Sequence, residues 1–217
     1  MIELAVLDIA GTTVEEHQAV YVALTDAVVA AGARPGPDDI AAWMGADKHE
    51  AIAALLGDVG DPIVVYADFR RRLTAAYADR PPAPLPGVPE ALAKLRGDGI
   101  RVALTTGFDR DVTASLLGAI GWDNTVVDAV VCVDDVAAGR PAPYLIFQAM
   151  EATGVRDVRR VLVAGDTTRD LQAGCNAGVA AVVGVLTGGQ DAATLGAERH
   201  THLLPSVADL PALVSRL

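Results

Sequence analysis

The apolar positions between residues 16 and 80 recur at helical spacing, in four segments that are separated by Gly, Pro and Asp positions. No segment in this part has the pattern of a strand. The expected helices are His17–Ala31, a short helix that Asp38 or Asp39 caps and that ends near Met44, Lys48–Leu56 behind Asp47, and a long helix from Pro62 to Tyr77. A linker with four prolines follows, from Arg80 to Gly87.

From Val88 onward, short apolar runs alternate with helical segments. The expected helices are Pro89–Arg96, Asp111–Gly118, Tyr144–Thr153 and Leu171–Ala177, and the expected strands are Arg101–Thr105, Ala129–Val133, Val161–Gly165 and Ala180–Val185. A similar apolar run, Ile2–Leu7, opens the chain. Runs this apolar are typical of strands buried on both faces, and their alternation with helices predicts right-handed crossovers and a parallel sheet. We therefore predict an α/β fold: a doubly wound, Rossmann-like parallel sheet formed by residues 1–15 and 81–217, with a helical cap domain of residues 16–80 inserted after the first strand.

The composition argues against several classes of function. The formal net charge of −11 argues against a surface made for nucleic acid or an anionic membrane, because such binding requires clustered cations. The only basic cluster is Arg70–Arg72, which is expected to lie on a solvated helix face. No stretch approaches the roughly 20 apolar residues of a membrane span, and Met1–Glu3 does not resemble a basic leader. Cys132 and Cys175 are far apart without paired spacing, which favours free, packed thiols. We expect a cytoplasmic monomer or homodimer without a nucleic-acid or membrane partner.

Polar residues follow the ends of the predicted strands. They are Asp8 after the first strand, Thr106 after the second, Arg140 after the third, and Asp166 and Asp170 after the fourth. Because the carboxyl ends of parallel strands meet at one edge of a sheet, these side chains are expected to form one site. Simpler roles stay open for each: Asp8 or Asp170 as a cap of a turn or helix, Arg140 in a surface ion pair, and Thr106 in a strand-end hydrogen bond.

This set of residues suits phosphoryl transfer assisted by a magnesium ion. Neighbouring carboxylates such as Asp8 and Asp166 repel each other unless a hard cation lies between them, and Mg²⁺ prefers oxygen ligands. The metal and Arg140 would neutralise the charge of a phosphate, while Thr106 and the Thr12 amide would hold its remaining oxygens. Attack by Asp8 would then give an aspartyl-phosphate, which water hydrolyses.

The four strand-end segments resemble, in order and in spacing, the four motifs of the haloacid dehalogenase superfamily. The resemblance covers nearly the whole chain, and the helical insert lies where that superfamily has its cap. Phosphatases of the superfamily usually have a second Asp two residues after the nucleophile, which acts as the general acid for the leaving alkoxide. Here that position is Ala10, and a methyl group cannot transfer a proton.

The sequence Asp-x-Ala-Gly-Thr-Thr instead resembles the phosphonoacetaldehyde hydrolases, or phosphonatases. Four further features are similar to that family: Thr-Thr-Gly before Phe108, Arg140 between Gly and Pro, the segment 133–136, and Met44-Gly45 with Lys48 three residues later. In that family a cap lysine condenses with the substrate aldehyde, and the iminium accepts the electron pair of the breaking carbon–phosphorus bond. Lys48 must be neutral to attack, so burial against Trp43 and Met44, or a nearby cation, is expected to lower its pKa.

The resemblance implies a role for each matching residue. The catalytic residues are Asp8, Lys48, Thr106 and Arg140, the substrate-binding residues are Thr12, Met44, Gly107 and Phe108, the metal-binding residues are Asp8, Ala10, Asp166 and Asp170, and the cofactor is Mg²⁺. The substrate is a small phosphonate or phosphate, with phosphonoacetaldehyde as the best specific candidate. Of the 17 Lys and Arg residues only Lys48 and Lys94 are lysines. Lys94 lies on the exposed side of its predicted helix, so Lys48 is the lysine whose position is harder to explain by a surface role.

Two rival interpretations stay open. In the first, the protein is a phosphatase for a small phosphomonoester, and Lys48 only binds the substrate. The cap is shorter than expected for a phosphonatase, and the histidine expected one turn after the lysine is replaced by Ala51, with His49 pointing in another direction. In the second, the protein is a non-enzymatic phosphoacceptor or binding module.

Overall fold

The computed structural model of the chain describes residues 1–217. The strands are β1 (Leu4–Asp8), β2 (Val14–Glu15), β3 (Ala83–Pro84), β4 (Arg101–Thr105), β5 (Ala129–Val131), β6 (Val161–Gly165), β7 (Ala181–Val185) and β8 (His202–Leu204). The α-helices are α1 (Ala19–Ala30), α2 (Pro37–Ala42), α3 (Lys48–Leu56), α4 (Pro62–Asp79), α5 (Val88–Gly97), α6 (Arg110–Ala119), α7 (Tyr144–Thr153), α8 (Thr168–Ala177), α9 (Ala192–Ala197) and α10 (Leu210–Val214). None of the helices combines the length and the apolar character that crossing a membrane requires.

Six strands form one parallel sheet in the order β5-β4-β1-β6-β7-β8. The central strand β1 pairs with β4 on one side and with β6 on the other. The chain fills one half of the sheet with β4 and β5 and then crosses β1 to fill the other half, so the topological switch point lies at β1. The predicted doubly wound parallel sheet is confirmed, and Asp8 lies at the carboxyl end of its central strand.

The sheet is buried on both faces, which explains the continuous apolar run of β1. Successive residues of this strand point to opposite faces: Leu4 and Val6 belong to one apolar cluster, whereas Ala5 and Leu7 belong to the other. The second cluster also contains Phe69 of α4, so one apolar core extends from the sheet into the helices between residues 19 and 79. The insert and the sheet therefore share buried apolar surface, which stabilises their relative position.

The helical insert connects to the sheet through two chain segments that lie side by side. β2 and β3 form a short antiparallel pair, in which Val14 lies opposite Pro84 and Glu15 lies opposite Ala83. The first segment carries the chain from β1 into α1, and the second returns it from α4 to α5. The predicted extended linker thus includes a strand, and the pair fixes where the insert begins and ends.

Two helix starts in the first half of the chain differ from the expectation. α1 begins two residues later than predicted, because His17 and Gln18 adopt left-handed backbone conformations with φ of 61° and 58°. α2 begins behind Gly36, and neither predicted aspartate is its N-cap. Asp39 instead lies in the first turn and accepts a hydrogen bond of 2.7 Å from the Gly36 N–H. The predicted cap of α3 is confirmed, since the Asp47 side chain accepts a hydrogen bond from the His49 N–H. Asp61 caps α4 in the same way, through the Ile63 N–H.

Other differences lie in the second half of the chain. β5 ends at Val131, because the next residues turn into a 3₁₀ helix (Val133–Asp135) in which the Cys132 N–H donates to the Asp135 carboxylate at 2.9 Å. α8 begins at Thr168 rather than at residue 171, which brings Asp170 into its first turn. The short elements β8, α9 and α10 were not predicted. Both cysteines are free, as expected.

Candidate active site

Asp8 lies at the end of β1, where its side chain pairs with Arg140. The Asp8 residue is buried, with 7% of its surface exposed. The Arg140 Nη1 donates to Asp8 Oδ1 at 2.6 Å, and Nη2 donates to the Thr105 carbonyl at 2.9 Å and to the Thr105 hydroxyl at 2.8 Å. The ends of β1 and β4, together with the loop after β5, therefore meet at one edge, as the sequence predicts. Arg140 is not a surface ion pair.

Asp170 fixes the other side of the same guanidinium. Its Oδ1 lies 3.0 Å from Arg140 Nε. Its Oδ2 accepts hydrogen bonds from the Thr167 N–H at 3.1 Å and from the Thr167 hydroxyl at 2.5 Å. Asp170 therefore caps the first turn of α8 and orients Arg140 at the same time, and both of its oxygens are engaged by protein groups.

Asp166 is held by two donors from different parts of the chain. The Thr12 hydroxyl donates to Oδ1 at 2.9 Å, and the Gly189 N–H donates to Oδ2 at 3.0 Å. The Thr12 side chain is fully buried and its N–H donates to the Ile9 carbonyl at 3.3 Å. Thr12 therefore positions Asp166 in this structure, whereas the sequence suggested that its amide would face the substrate.

The three acids do not form the single cluster that the sequence suggested. No group of three or more His, Cys, Asp or Glu side chains is placed to hold a metal ion, and Asp170 faces Arg140 instead. Asp8 and Asp166 nevertheless line one small cavity together with Ala10. The Ala10 carbonyl accepts no hydrogen bond from the protein.

The buried negative charge is only partly compensated. Burial raises the pKa of Asp8 to about 8; the nearby Arg140 guanidinium opposes this, while the charges of Asp170 and Asp166 add to it. Burial and the charge of Asp170 raise the pKa of Asp166 to about 6, although the hydrogen bonds from Gly189 and Thr12 oppose the rise. A cation between Asp8 and Asp166 would favour both ionised carboxylates. Two carboxylates and one carbonyl oxygen are a donor set that suits Mg²⁺, which keeps several waters.

Lys48 reaches the same cavity from the first residue of α3. It is 3% exposed, and its Nζ donates to the Ala46 carbonyl at 2.6 Å. The rings nearest to Nζ belong to Phe108 and Tyr21, with centroids 5.6 Å and 5.9 Å away. Burial lowers the pKa of Lys48 to about 8; the charge of Asp8 opposes this and the charge of Arg140 adds to it. These rings are not the predicted Trp43, which instead lies beside Arg169. The direction of the pKa shift agrees with the prediction.

The small cavity has a volume of about 20 Å³. All four predicted catalytic residues line it, together with Gly107 and Phe108, residues of the helical insert, and residues that follow β1 and β6: Asp8, Ala10, Val20, Tyr21, Gly45, Lys48, Thr106, Gly107, Phe108, Arg140, Asp166 and Thr167. A second cavity of about 300 Å³ shares Ala10, Tyr21 and Asp166 with the first and contains the predicted Met44. A larger groove of about 780 Å³ beside α7 includes none of the predicted site residues.

Two glycines allow the helical insert to approach the sheet edge at this cavity. Gly45 has a φ of +73°, and a Cβ at this position would lie 2.3 Å from the Thr167 hydroxyl oxygen. A Cβ on Gly107 would lie 2.5 Å from the Ala46 carbonyl oxygen. A side chain at Gly45 would therefore push the segment before α3 away from Thr167, and a side chain at Gly107 would push the same segment away from the loop that carries Thr106.

Side chains outside the predicted set also join the insert to the sheet. Arg169 of α8 donates to the Ala42 carbonyl at 3.1 Å, and its guanidinium lies 5.1 Å from the ring centre of Trp43. On the other side the Tyr66 hydroxyl donates to Asp109 at 2.5 Å. His49 stacks on Tyr66 at 3.6 Å and lines neither cavity at the site.

Sequence reasoning missed the loop after β7. The Thr187 hydroxyl donates to the Gly11 carbonyl at 2.7 Å, and Gly189 holds Asp166. A Cβ on Gly188 would lie 1.8 Å from Asp166 Oδ2, so no side chain fits there. A glycine pair at the end of a predicted parallel strand was the available signal, because that end lies at the same edge as Asp8.

The comparisons with known proteins agree with this architecture. Residues 5–184 match the family model described as haloacid dehalogenase-like hydrolase. A phosphonoacetaldehyde hydrolase from Parabacteroides distasonis is 35% identical over 127 residues, which are 58% of this chain and 47% of that protein. One from Syntrophobacter fumaroxidans is 28% identical over 214 residues, or 91% of this chain and 76% of that protein. In several such matches, including the first, this chain spans about half the length of the relative.

Solved structures show the same fold at low identity. A hydrolase from Pseudomonas syringae has a TM-score of 0.84 at 22% identity, with 99% of both chains covered. A phosphonoacetaldehyde hydrolase-like protein from Oleispira antarctica has a TM-score of 0.84 at 23% identity, with 99% of this chain and 92% of that chain covered. A mutant of CbbY from Rhodobacter sphaeroides, solved with xylulose-1,5-bisphosphate, has a TM-score of 0.80 at 22% identity and covers 97% of this chain and 96% of its own.

Proposed function

The chain belongs to the haloacid dehalogenase-like hydrolases, and from that premise we propose that it is a Mg²⁺-dependent enzyme that cleaves the carbon–phosphorus bond of a small phosphonate such as phosphonoacetaldehyde. The observation that carries this proposal is that the amine of Lys48 and the carboxylate of Asp8 line one cavity of about 20 Å³. Residues 1–15 and 81–217 would act as the core domain and residues 16–80 as the cap. The core domain then supplies the carboxylate nucleophile, Asp8, and the cap supplies the amine nucleophile, Lys48.

The reaction would begin at Lys48. The neutral amine adds to the aldehyde carbon, and loss of water gives an iminium ion. Burial favours the neutral amine, since it lowers the pKa of Lys48 to about 8. The buried position beside two aromatic rings also excludes water, which would otherwise hydrolyse the iminium.

Asp8 would then attack phosphorus. The new bond joins an Asp8 carboxylate oxygen to phosphorus, and the electron pair of the carbon–phosphorus bond moves to the iminium, which becomes an enamine. Water hydrolyses the aspartyl-phosphate to inorganic phosphate. The enamine takes up a proton on carbon, and hydrolysis of the resulting imine releases acetaldehyde and the free amine of Lys48. Because no alkoxide leaves, the missing acid at Ala10 is not needed at this step.

The remaining groups would bind the phosphonate. Arg140 is fixed on two sides by Asp170 and Thr105, so its guanidinium is preorganised to face the phosphoryl oxygens beside Asp8. Thr106 and Gly107 line the cavity next to Lys48 and would hold the oxygens on the other side.

The residues present fit a magnesium ion. Asp8, Asp166 and the Ala10 carbonyl would hold it, whereas Asp170 would act through Arg140. When bound, Mg²⁺ would neutralise charge on the phosphoryl oxygens and favour the ionised form of Asp8. The raised pKa values of Asp8 and Asp166 support this assignment, because they mark a negative charge that the protein alone leaves uncompensated.

A phosphatase for a small phosphomonoester is the second candidate. The cavity of about 300 Å³ that adjoins Asp166 has room for a substrate larger than a two-carbon aldehyde. In that case Lys48 would bind an anionic or hydroxyl group of the substrate, and water would supply the proton that Ala10 cannot. The similarity to CbbY, which was solved with a sugar bisphosphate, supports the shared fold alone.

Turnover by lysine variants separates the two candidates. Lys48→Arg keeps a positive charge but cannot form an imine. Lys94→Arg is the matched control, because Lys94 is the other lysine of the chain and its side chain is 61% exposed. We expect Lys48→Arg to abolish release of acetaldehyde and phosphate from phosphonoacetaldehyde, and Lys94→Arg to retain both. Release that survives Lys48→Arg, or a phosphomonoester as the better substrate, would favour the phosphatase.

A further inference from the structure

Tyr21 lies between the two cavities of the site. It is the one aromatic residue that lines both the cavity with Lys48 and Asp8 and the larger one with Glu15 and Glu16. It projects from the first turn of α1 and belongs to none of the motifs that the sequence pointed to. Its ring centre lies 5.9 Å from Lys48 Nζ.

The hydroxyl of Tyr21 accepts one hydrogen bond, which fixes its position, and donates none within the protein. Its oxygen accepts a hydrogen bond from the Gly45 N–H at 3.2 Å. The hydroxyl donates to no protein acceptor, so its proton is available to a group in the cavity. Gly45 lines the smaller cavity too, which places this hydrogen bond at the cavity wall.

The other hydroxyls near the cavity are less suited to give a proton. The Thr167 hydroxyl donates to Asp170, and the Thr12 hydroxyl donates to Asp166. The Thr106 hydroxyl oxygen accepts from the Phe108 N–H, and an aliphatic alcohol is a much weaker acid than a phenol. Ala10 supplies no acid. Tyr21 is therefore the neutral acid that the cavity offers beside Lys48.

Imine chemistry at Lys48 requires such an acid. The carbinolamine that forms from the amine and an aldehyde must lose its hydroxyl group, and hydroxide leaves easily only when it receives a proton. We propose that Tyr21 is a catalytic proton donor, whose hydroxyl protonates the leaving oxygen of the carbinolamine at Lys48. This proposal rests on the proposed function.

The step balances over the catalytic cycle. The carbon–oxygen bond breaks, its electron pair leaves with oxygen as water, and the nitrogen lone pair forms the carbon–nitrogen double bond. The phenolate of Tyr21 recovers its proton from the water that later attacks the product imine. Burial and the negative charges of Asp166 and Asp8 raise the pKa of Tyr21, and the hydrogen bond from Gly45 opposes the rise. The hydroxyl is therefore protonated at neutral pH and gives up its proton only as the positive charge of the iminium develops at Lys48.

The test compares two conservative tyrosine variants. Tyr21→Phe keeps the ring and removes the hydroxyl. Tyr77→Phe is the control, because Tyr77 of α4 is a partly buried tyrosine that lines neither cavity and whose buried hydroxyl has no partner. The measured quantity is the rate at which phosphonoacetaldehyde forms a borohydride-trappable adduct with the protein, together with kcat, KM and Tm.

We expect Tyr21→Phe to slow adduct formation and kcat by about 10²-fold, with KM changed by less than about threefold, and Tyr77→Phe to leave them unchanged. A second measurement needs no variant: adduct formation by the wild-type protein is expected to be slower in deuterated water. If Tyr21→Phe forms the adduct as fast as the wild-type protein does, or if the wild-type rate shows no solvent isotope effect, the role of Tyr21 is overturned while the imine route stands. Failure of the wild-type protein to trap any adduct would overturn both.

Discussion

Asp8 and Arg140 are 132 positions apart in the sequence, yet the Arg140 Nη1 lies 2.6 Å from Asp8 Oδ1 in the buried interior. The same guanidinium pairs with Asp170 through Nε at 3.0 Å. One cation therefore serves two buried carboxylates, and its orientation is fixed before any substrate binds. This arrangement suits a group that must meet a phosphoryl group beside Asp8.

Removal of Arg140 is expected to affect both stability and activity. Arg140→Ala would leave two buried acids without their partner, which costs about 3 kcal/mol of the free energy of unfolding. The activity would fall by at least about tenfold, because the phosphoryl oxygens beside Asp8 would lose the cation that neutralises them. Denaturant unfolding and turnover measure the two effects. The control is Arg159→Ala, which removes an ion pair at the surface. Equal unfolding curves for Arg140→Ala and the wild-type protein would contradict the buried pair.

Imine formation at Lys48 is expected to depend on pH. The reactive form is the neutral amine, and burial lowers the pKa of Lys48 to about 8. The fraction of neutral amine therefore rises with pH through 8 and is ~10% at pH 7. We expect the rate of borohydride-trappable adduct formation to rise with a midpoint near pH 8. A midpoint close to that of an exposed lysine would show that the amine is not desolvated in solution.

Magnesium is expected to stabilise the protein more at high pH than at low pH. The folded-state pKa values of Asp8 and Asp166 are raised to about 8 and about 6. Their protonation therefore stabilises the metal-free fold fully below pH ~4, and this stabilisation is lost as the pH rises to 8. A divalent cation that binds the ionised acids offsets the loss. We expect added Mg²⁺ to raise Tm by about 3 °C at pH 8 and by less at pH 5.

Two comparisons test that result. Asp166→Asn removes one proposed ligand and should abolish the Mg²⁺-dependent rise in Tm, whereas Asp157→Asn, at the surface, should leave it intact. An equal rise at both pH values, or a rise that persists in Asp166→Asn, would place the metal elsewhere.

The loop after β7 is expected to control metal binding through Gly188. In Gly188→Ala the new methyl group would start 1.8 Å from Asp166 Oδ2, so the carboxylate must move. We expect at least about a tenfold loss in apparent Mg²⁺ affinity, measured by titration of activity. Gly118→Ala is the control, because Gly118 lies in α6 with no heavy atom near the added carbon. Unchanged Mg²⁺ affinity in Gly188→Ala would mean that Asp166 is not a ligand.

The sequence predicts which residues reach the carboxyl edge of the sheet better than it predicts which side chains pair with one another there. The apolar runs fix the parallel sheet, and parallel strands bring Asp8, Thr106 and Asp166 to one edge by geometry alone. The sequence also indicates Lys48, because lysine is rare in this chain and this one follows a break between helices. These predictions need only local patterns and the topology that the patterns imply.

Pairings across long separations were not predictable in this way. Whether Asp170 faces a metal or Arg140 depends on the exact position of the loop after β5 relative to the first turn of α8. Tyr21 lies on an apolar helix, where its spacing resembles that of a core residue. The role of Gly188 follows from the close approach of two loops that are 22 residues apart in the sequence, and no local pattern encodes that distance.

The central claim is that the amine of Lys48 and the carboxylate of Asp8 act on one substrate in one cavity. Reduction of the wild-type protein with borohydride in the presence of phosphonoacetaldehyde, followed by peptide mass mapping, tests it most directly. The claim predicts one reduced two-carbon adduct on the peptide that contains Lys48 and none on the peptide that contains Lys94. An adduct on Lys94 alone, or inactivation without any adduct on Lys48, would contradict it.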